Sequence, residues 1–441
     1  MMEYQEYLKK ILSDEEIEKL NDCYNKENTN GLRVNLLKTN KEHIGTILYL
    51  NKNHPFVKEA YIIENKEFRY GKDPLHYAGG YYLQEPSAMM VAHLLNVEKG
   101  DKVLDLCAAP GGKSSQVISY LENTGLLVSN DISNKRVQAL SENVERMGAS
   151  NTYVLNESIE NIENKFYGFF DKVILDAPCS GQGMFRKNKE VLNDWTYNKT
   201  LSLANTNKEL IMRAYNCLRK DGIMVYSTCT FTKEEDEEVV KYLLENTNAS
   251  IMNIDMNKMF HEAFIDGAIR LYPFLFEGEG HFICLIKCND EHECKVSKFN
   301  REAGRTEMKL YREFESQYLN IKLDGKFIKM GDELHFLKQE YFSLDRLKVI
   351  RNGLHLGTIK KDRFEPNHAL AMFLNKGQVK NSIDFDHNDN KVISYLKGMT
   401  IEETTNKKGY VLVCVNGLSL GWGKDDGRII KNLYPKGLRM L

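Results

Sequence analysis

The stretch 102-KVLDLCAAPGGKSSQVISYLENTGLLVSND-131 decides the fold. It begins with an apolar run typical of a buried strand and breaks at a glycine-rich turn. It then continues as an amphipathic helix and ends in a second apolar run. A strand, a helix and a second strand in this order form a βαβ unit, whose two strands run parallel in one sheet. The sequence therefore predicts an α/β protein built around a parallel sheet.

The alternation of strands and helices extends from about residue 79 to residue 290. The predicted strands are 102–107, 126–131, 152–156, 172–177, 222–228 and 281–287. The predicted helices between them include 113–123, 134–148 and 233–247. This pattern predicts a Rossmann-like core, in which a mostly parallel, doubly wound sheet is covered by helices on both faces.

Polar side chains recur where the predicted strands end. They are Cys107, Asp131, Asp176, Cys179 and Cys229. In open sheets of this class, ligands bind in the crevice at the carboxyl ends of the strands. We therefore expect these five side chains to share one site.

The composition is that of an ordinary globular protein: the chain has 441 residues, 42% of them hydrophobic and 28% charged. This length predicts about two to four domains. No apolar run reaches the roughly 20 residues of a membrane span. The charged segment 1-MMEYQEYLKKILSDEEIEKL-20 also lacks the apolar centre of a signal peptide. We expect a cytoplasmic protein with no membrane partner, whose nine scattered cysteines are reduced.

The net charge of −2 is unevenly distributed. Residues 295–441 contain 27 Lys and Arg against 18 Asp and Glu, and the rest of the chain contains 33 against 44. A basic C-terminal third favours a polyanion-binding appendage, such as an RNA-binding region. An ordinary solvated surface explains the same excess equally well.

Changes in composition divide the chain into four predicted parts. Residues 1–75 form a small α+β domain, and residues 76–290 form the Rossmann-like core. Residues 291–375 form a polar linker and a small mixed α/β domain, and residues 376–441 form a β-rich domain.

Two signals concern the first predicted domain. Ser13, followed by three acidic residues, predicts the N-cap of a helix. In the predicted strand 32-LRVNLLKT-39, Arg33 and Asn35 alternate with apolar residues. Their face of the strand could meet RNA phosphates, although an ordinary half-exposed edge strand fits the pattern as well.

Two Asn-Gly pairs in the C-terminal region predict tight turns. One lies in 346-RLKVIRNGLHLGTIKK-361 and the other in 409-GYVLVCVNGLSLGWGKDDG-427. Asn-Gly between strand-like runs is typical of a two-residue β-hairpin turn. We therefore expect a hairpin in each segment.

The segment 103-VLDLCAAPGGKSS-115 predicts a ligand-binding turn, because its glycines let the backbone approach a ligand at a helix N-terminus. The phosphate-loop pattern G-x-x-x-x-G-K-S fails at Cys107, and Pro110 lacks an N–H that such a loop would donate. The dinucleotide pattern G-x-G-x-x-G is absent, yet Asp131 stands where an acid binds a ribose diol. A nucleoside-bearing cofactor without a pyrophosphate fits both facts, and S-adenosylmethionine is such a molecule.

Two thiols and a carboxylate at neighbouring strand ends suit the methylation of cytosine at C5. C5 is a poor nucleophile, and a thiolate that adds to C6 pushes electron density to C5. The reaction also needs an acid near the N3 edge and help in eliminating the thiol. Cys179, Cys229 and Asp176 could supply these functions, although a buried cysteine taken alone is more often an inert small hydrophobe.

A possible metal site also occurs in the sequence. Its candidate ligands are His281, Cys284, Cys288, His292 and Cys294. The first three lie along one predicted strand and spread over about 20 Å, which is too far for one ion. We therefore predict no metal.

Four segments in order carry a family resemblance. They are 79-GGYYLQEPSAM-89, 105-DLCAAPGGKSSQ-116, 171-DKVILDAPCSGQGMFRK-187 and 223-IMVYSTCTFTKEEDEEVV-240. The chain resembles the Nop/Sun family of RNA 5-methylcytosine methyltransferases over residues 79–290, which implies a class I methyltransferase core. The C-terminal region is similar in layout to that of the RsmF-like bacterial branch, which carries a PUA-like RNA-binding module.

The resemblance implies a role for each catalytic candidate. Cys229, in the S-T-C-T motif, corresponds to the nucleophile that adds to C6. Cys179, in the P-C-S motif, corresponds to the thiol that assists product release. Asp176 would hold and protonate the pyrimidine edge, Pro178 would shape the pocket, and Lys113 would lie close to the chemistry.

The resemblance also implies an S-adenosylmethionine site. The methionine part of the cofactor would be wrapped by Cys107, Ala108, Ala109, Pro110, Gly111, Gly112 and Lys113. Asp131 would bind the ribose with support from Arg136, and Asp176 would border the site. No residue of 154-VLNESIEN-161 is assigned to the adenine.

The implied function is S-adenosylmethionine-dependent methylation of cytosine C5 in 16S rRNA of the small subunit, by a monomer whose N- and C-terminal regions bind RNA. A tRNA substrate is one alternative. A non-catalytic RNA-binding ribosome-assembly factor is another, and Cys179, Cys229, Asp176 and Lys113 argue against it, because a scaffold needs none of those side chains.

Overall fold

Four β-sheets organise the chain in the computed structural model, which describes residues 2–294, 296, 302–338 and 342–440, without the side chains of residues 2, 189 and 193. The α-helices are α1 (Met2–Leu8), α2 (Asp14–Tyr24), α3 (Lys41–Leu48), α4 (Pro74–Tyr77), α5 (Pro86–Leu95), α6 (Gly112–Leu121), α7 (Arg136–Met147), α8 (Ile159–Phe166), α9 (Lys189–Asn193), α10 (Tyr197–Asn216), α11 (Glu237–Asn246), α12 (Arg305–Tyr318), α13 (His368–Phe373) and α14 (Asn390–Leu396).

The strands up to the end of the predicted core are β1 (Gly31–Val34), β2 (Ala60–Ile62), β3 (Tyr81–Gln84), β4 (Lys102–Asp105), β5 (Leu126–Asn130), β6 (Thr152–Leu155), β7 (Phe170–Asp176), β8 (Leu218–Thr228), β9 (Ser250–Met252), β10 (His261–Glu262), β11 (Ile269–Leu271) and β12 (His281–Lys287). The later strands are β13 (Lys326–Met330), β14 (Glu333–Leu337), β15 (Val349–Asn352), β16 (Leu354–Ile359), β17 (Phe364–Pro366), β18 (Ser382–Phe385), β19 (Gly409–Val415), β20 (Leu418–Asp425) and β21 (Ile430–Asn432).

The largest sheet has ten strands in the order β10-β11-β12-β8-β7-β4-β5-β6-β15, with β9 paired to β12. Its five central strands, β8, β7, β4, β5 and β6, are parallel, and the outer strands are antiparallel. The predicted Rossmann-like sheet is confirmed at the centre. The strand order reverses between β4 and β7, which is where sheets of this class bind ligands.

The two faces of this sheet are both buried, because the side chains of each strand alternate between them. On β7, Ile174 faces one hydrophobic core, and Val173 and Leu175 face the other. Helices α5, α6 and α7 cover the first face, and α8, α10 and α11 cover the second. The six predicted strands and three predicted helices of the core all form, with bounds that differ by a few residues.

The N-terminal region has a three-stranded antiparallel sheet in the order β2-β1-β3. Ser13 caps α2 in a capping box with Glu16, as predicted. The expectation that Arg33 and Asn35 face phosphates is wrong, because both side chains are buried. The Arg33 guanidinium donates to the carbonyl of Gly112 at 3.0 Å, and the Asn35 amide donates to backbone carbonyls of the core.

One of the two predicted hairpins forms. Strands β19 and β20 pair antiparallel around Asn416 and Gly417, which both have positive φ, as a tight hairpin turn requires. The prediction of a hairpin at Asn352-Gly353 is wrong, because β15 pairs with β6 of the large sheet, whereas β16 pairs with β14. Gly353, at φ 64°, lets the chain pass from one sheet to the other.

The two ends of the chain share a hydrophobic core. Leu32, Ile44 and Tyr81 of the N-terminal region pack in one cluster with Val411 and Leu418 of the C-terminal sheet β18-β19-β20-β21. A separate sheet, β13-β14-β16-β17, packs with α12 and α13. Within the described residues, none of the helices combines the length and the apolar composition that crossing a bilayer requires.

Candidate active site

The strand ends bring the predicted catalytic residues together at one edge of the large sheet. Asp176 is the last residue of β7, Cys179 follows it by three positions, and Cys229 directly follows β8. Since β7 and β8 are parallel neighbours, their carboxyl ends lie side by side. Lys113, in the first turn of α6, reaches this edge from the end of β4.

The two thiols are in direct contact. The Sγ atoms of Cys179 and Cys229 are 3.2 Å apart, and both residues are half-buried. The hydrogen bond between them raises the pKa of Cys179 and lowers the pKa of Cys229. Of the two thiols, Cys229 is therefore the one that loses its proton more readily. A thiolate is the nucleophilic form of cysteine.

A buried ion pair lies beside the thiols. The Lys113 ammonium donates to Asp176 Oδ2 at 2.5 Å, and the Ser227 hydroxyl donates to Asp176 Oδ1 at 2.8 Å. The two charged side chains are 13% and 25% exposed. Burial raises the pKa of Asp176, but the charges of Lys113 and His281 and the hydrogen bonds from Lys113 and Ser227 together lower it by more, so the net pKa is lowered. Asp176 is therefore an ionised acceptor at neutral pH.

Sequence reasoning missed two charged residues of this site. His281, at the start of β12, lies with Nε2 4.0 Å from Asp176 Oδ1 and with Nδ1 3.2 Å from Glu85 Oε1. In the sequence, Glu85 stands within the motif 79–89 without a distinct role, and His281 stands out only as a possible metal ligand. One signal could have brought His281 into the site. It begins the predicted strand 281–287, which is the last strand of the core and must therefore pair with another core strand.

The predicted cofactor loop connects β4 to α6 over residues 106–111. Its backbone is held from outside: the Ala109 N–H donates to Asp131 Oδ2 at 3.2 Å, the Arg136 guanidinium donates to the Ala109 carbonyl at 2.5 Å, and the Asn143 amide donates to the Pro110 carbonyl at 2.9 Å. Gly111 caps α6 with φ 113°, a conformation that favours glycine.

The residues around this loop fit S-adenosylmethionine. Asp105, the last residue of β4, is fully buried, and its Oδ1 has no hydrogen-bond partner among the described residues. Burial raises the pKa of Asp105 to about 7. An unpartnered carboxylate oxygen under a glycine-containing loop suits the amino group of the methionine part. Asp131 directly follows β5 and lies next to Arg136, 3.4 Å from its Nη2, and a carboxylate in this position suits ribose hydroxyls.

The predicted loop residues take different places around this site. Cys107 is half-buried, and burial raises the pKa of its thiol to about 12, so it is neutral. Ala108 and Ala109 are buried, and the Ala108 N–H donates to the carbonyl of Asn130. Gly112 begins α6, and Pro178 is exposed beside Cys179.

Beyond Asp131, the loops that follow β5 and β6 contain residues that the sequence left unassigned. Ile132, directly after Asp131, is 74% exposed. Asn156 follows β6, donates to the carbonyl of Asp131 at 2.8 Å and accepts from the Lys348 ammonium at 2.7 Å. Lys348 directly precedes β15, so the C-terminal region contacts the loops that follow β5 and β6.

The possible metal ligands of the sequence are dispersed. His281 pairs with Glu85, Cys284 is buried on β12, and Cys294 is exposed, while Cys288 and His292 are 3.9 Å apart. Among the described residues, the group with ligand atoms close enough for one ion is Glu333, His335 and His355, on β14 and β16. It lies outside the catalytic centre. All nine cysteines are free.

Four family models match successive parts of the chain. The model of 16S rRNA methyltransferase RsmB/F matches residues 92–287. The N-terminal domain of 16S rRNA methyltransferase RsmF matches residues 2–86, the RsmF first C-terminal domain matches residues 313–374, and the methyltransferase RsmF PUA domain matches residues 377–440. Members of the RsmB/F family use S-adenosylmethionine.

Curated relatives are similar over nearly the whole chain. The ribosomal RNA small subunit methyltransferases F of Shewanella oneidensis and Vibrio vulnificus are each 30% identical, over 92% of this chain and 90% of theirs. A solved methyltransferase homologue from Pyrococcus horikoshii is 27% identical with a TM-score of 0.56, over 63% of this chain and 92% of that one. NSun6 from the same organism, solved with SFG, shares the fold at 20% identity, with a TM-score of 0.60 over 66% of this chain and 98% of its own.

The matches to all four models, the two thiols in contact at the ends of β7 and β8, and the loop after β4 agree with one another. The chain belongs to the RsmF group of the RsmB/F family of S-adenosylmethionine-dependent rRNA cytosine-C5 methyltransferases.

Proposed function

We propose that this protein methylates C5 of a cytosine in small-subunit ribosomal RNA, with Cys229 as the nucleophile and Cys179 as the thiol that assists release. The observation that carries the proposal is the pair of thiols 3.2 Å apart whose pKa values move in opposite directions. The relatives' names, ribosomal RNA small subunit methyltransferase F, support the choice of RNA.

The proposed reaction begins at Cys229. Its thiolate adds to C6 of the cytosine, a C–S bond forms, and the electron pair displaced from the C5–C6 bond increases electron density at C5. S-adenosylmethionine supplies an electrophilic methyl group on its sulfonium when it is bound. Once C5 carries this methyl group, its proton leaves to a base, the C–S bond breaks and Cys229 departs as the thiolate. The Cys179 thiol, 3.2 Å from Cys229, is proposed to assist this last step.

Asp176 is proposed to hold the pyrimidine edge. As an ionised carboxylate it accepts a hydrogen bond from the cytosine amino group. To protonate N3, Asp176 must first receive a proton from a cationic neighbour. Lys113 can supply it, because its ammonium already donates a hydrogen bond to Asp176 at 2.5 Å. Lys113 is therefore proposed to act beside Asp176 in the catalytic centre.

Residues around the loop after β4 are proposed to hold the cofactor. The methionine part lies against Cys107, Ala108, Ala109, Pro110, Gly111, Gly112 and Lys113, with Asp176 at the border. Asp131, supported by Arg136, takes the ribose hydroxyls. We add to these Asp105 for the amino group, because its buried Oδ1 has no partner among the described residues, and the exposed Ile132 for the adenine face.

The rest of the chain is proposed to bind RNA. Residues 1–75 and 376–441 flank the core of residues 76–290, with residues 291–375 between core and PUA-like part. The proposal requires one chain, no metal in the reaction, and a cytoplasmic location, where ribosomal RNA is found. The target base has to leave its stack to reach the thiols, which favours a loop or an opened helix.

The proposal is tested by bisulfite sequencing of ribosomal and transfer RNA from cells without this gene, complemented with the wild type or with Cys229→Ala. We expect protected cytosines in small-subunit rRNA with the wild type and their loss with Cys229→Ala at equal protein levels. Loss confined to tRNA would move the substrate to tRNA. Equal protection with both proteins would contradict the role of Cys229.

A further inference from the structure

His281 lies next to the proposed nucleophile because of strand pairing. Strand β12 runs antiparallel to β8, and Phe282 pairs with Thr228. This register carries His281 to the level of Cys229, which directly follows β8. The His281 side chain is 5% exposed, so its charge state is set by its neighbours rather than by solvent.

The position of the imidazole is fixed on its other side. Its Nδ1 lies 3.2 Å from Glu85 Oε1 and 3.1 Å from the Ser87 hydroxyl. The Glu85 carboxylate is itself held by the backbone N–H groups of Ser87, Ala88 and Glu279, at 2.8, 2.5 and 3.1 Å. A carboxylate with this many donors is preorganised to anchor a cation.

Four buried charges alternate in sign across the site: Glu85, His281, Asp176 and Lys113. Burial lowers the pKa of His281, but the hydrogen bond and charge of Glu85 outweigh it and raise the pKa overall. In turn, although burial raises the pKa of Glu85, His281 and the other donors lower it to about 2. These neighbours therefore favour the positively charged form of the imidazole, whose Nε2 is directed toward Asp176.

We propose that His281, anchored by Glu85, is a positioning residue of the catalytic centre whose positive charge keeps Cys229 in the thiolate form before RNA binds. This inference rests on the proposed function only for the identity of Cys229 as the nucleophile. Lys113 also favours the Cys229 thiolate, but it is already paired with Asp176 at 2.5 Å.

The groups that face Cys229 come from four elements. They are Cys179 after β7, Asp176 on β7, Lys113 on α6 and His281 on β12. Cys179, His281 and Lys113 lower the pKa of Cys229, whereas burial and Asp176 raise it. A neutral residue in place of His281 would no longer offset the negative charge of Asp176. The pKa of Cys229 should therefore rise.

The test measures alkylation of Cys229 by iodoacetamide from pH 6 to pH 10, in the full-length protein without RNA or cofactor. The parent carries Cys179→Ser, and modification is quantified at the Cys229 peptide by mass spectrometry. His281→Gln keeps a hydrogen-bond partner for Glu85 and removes the charge. We expect about tenfold slower alkylation at pH 7, with rates that converge at high pH where every thiol is ionised.

His387→Gln is the matched control. His387 forms an equally buried pair with Asp73, 3.0 Å apart, between the C-terminal and N-terminal regions. This variant should leave the alkylation profile unchanged. Glu85→Gln should slow alkylation in the same direction, and combining it with His281→Gln should add nothing, because Glu85 acts through His281. An unchanged profile in His281→Gln would overturn the proposal.

A second measurement reads the charge of His281 in the wild-type protein. NMR titration of the histidine Cε1–H signals of the wild type, with His281 assigned from His281→Gln or from contacts to Phe282, reports its protonation directly. We expect its midpoint above that of an ordinary histidine, which is about 6.5. A midpoint below pH 6 would contradict a positively charged His281. Because neither readout involves methylation, failure here is distinct from failure of the proposed function.

Discussion

Removing Lys113 alone should destabilise the folded protein, because Asp176 would be left as a buried charge without its ion-pair partner. Their charged atoms are 2.5 Å apart, and the side chains are 13% and 25% exposed. Lys113→Met keeps most of the side-chain volume and removes the charge. Asp176 is then left as a buried carboxylate whose remaining polar neighbours are the Ser227 hydroxyl at 2.8 Å and His281 at 4.0 Å.

The expected cost follows from burial. Removing one partner of a buried ion pair destabilises a protein by about 3–5 kcal/mol, because the other charge stays desolvated. Since Asp176 is a quarter exposed and keeps two neighbours, we expect the lower end, about 3 kcal/mol, at pH 7.5. Without the ammonium, burial raises the pKa of Asp176 and the carboxyl group takes up a proton as the pH falls. The destabilisation should therefore shrink between pH 7.5 and pH 5.

The assay is urea unfolding followed by tryptophan fluorescence. The chain has two tryptophans, so a Trp422→Phe background leaves Trp195, which packs against α1 beside the catalytic core. Lys113→Met, Asp176→Asn and the double variant complete a cycle. The double variant should recover most of the stability lost in Lys113→Met, because no unpaired charge remains, while methylation stays absent in all three.

An exposed ion pair provides the control. Lys19 and Glu15 are 54% and 76% exposed and pair along α2, so Lys19→Met should cost less than about 1 kcal/mol. If Lys113→Met is as stable as the wild type at pH 7.5, the reasoning is refuted. A double variant no more stable than Lys113→Met would also refute it, because the loss would then not come from an unpaired Asp176.

Two further predictions concern the cofactor. The pKa of Asp105 is about 7, and its Oδ1 has no hydrogen-bond partner in the described part of the chain. S-adenosylhomocysteine should therefore bind more tightly as the pH rises from 6 to 8 and Asp105 ionises. Calorimetry should show this slope disappear in Asp105→Asn, and an equal slope in that variant would contradict the contact. Lys348→Ala should weaken binding of the same ligand about three- to tenfold by releasing Asn156, whereas replacement of another exposed lysine, Lys361→Ala, should not. Equal affinities of the two variants would show that Lys348 has no part in the site.

Local periodicity was enough to predict the core of the fold. The apolar runs around Val103, Val128 and Ile174 alternate with amphipathic helices, and strand and helix periods are set by residues close in sequence. The position of the site followed, since the ends of parallel strands meet at one edge. For this reason the proximity of Cys179, Cys229 and Asp176 was predictable, whereas the place of Lys113 was implied by the family resemblance.

The errors concern contacts between residues distant in sequence. Arg33 looked like an exposed strand residue, but its guanidinium is buried against Gly112 and Ser115. The Asn352-Gly353 pair looked like a hairpin turn, but β15 finds a better partner in the open edge of β6. An edge strand offers a row of unpaired backbone groups to any segment that reaches it, and sequence pattern does not reveal which segment does.

The pairing of Glu85 with His281 was missed for the same reason. Each residue alone reads as ordinary: one caps α5, and the other begins an apolar strand. Their contact depends on β12 lying antiparallel to β8, a register that only the assembled sheet defines. The structure was therefore needed to describe the chemical environment of Cys229, although the sequence alone was enough to select Cys229 as the candidate nucleophile.

The division of labour between the two thiols is tested most directly by trapping the covalent intermediate. Cys179→Ala, Cys229→Ala and the double variant are incubated with S-adenosylmethionine and labelled small-subunit rRNA, and the products are separated on a denaturing gel. The account predicts a slowly migrating protein–RNA adduct with Cys179→Ala and none with the other two, because Cys229 forms the bond and Cys179 assists its release. An adduct with Cys229→Ala, or free methylated RNA released by it, would contradict the account.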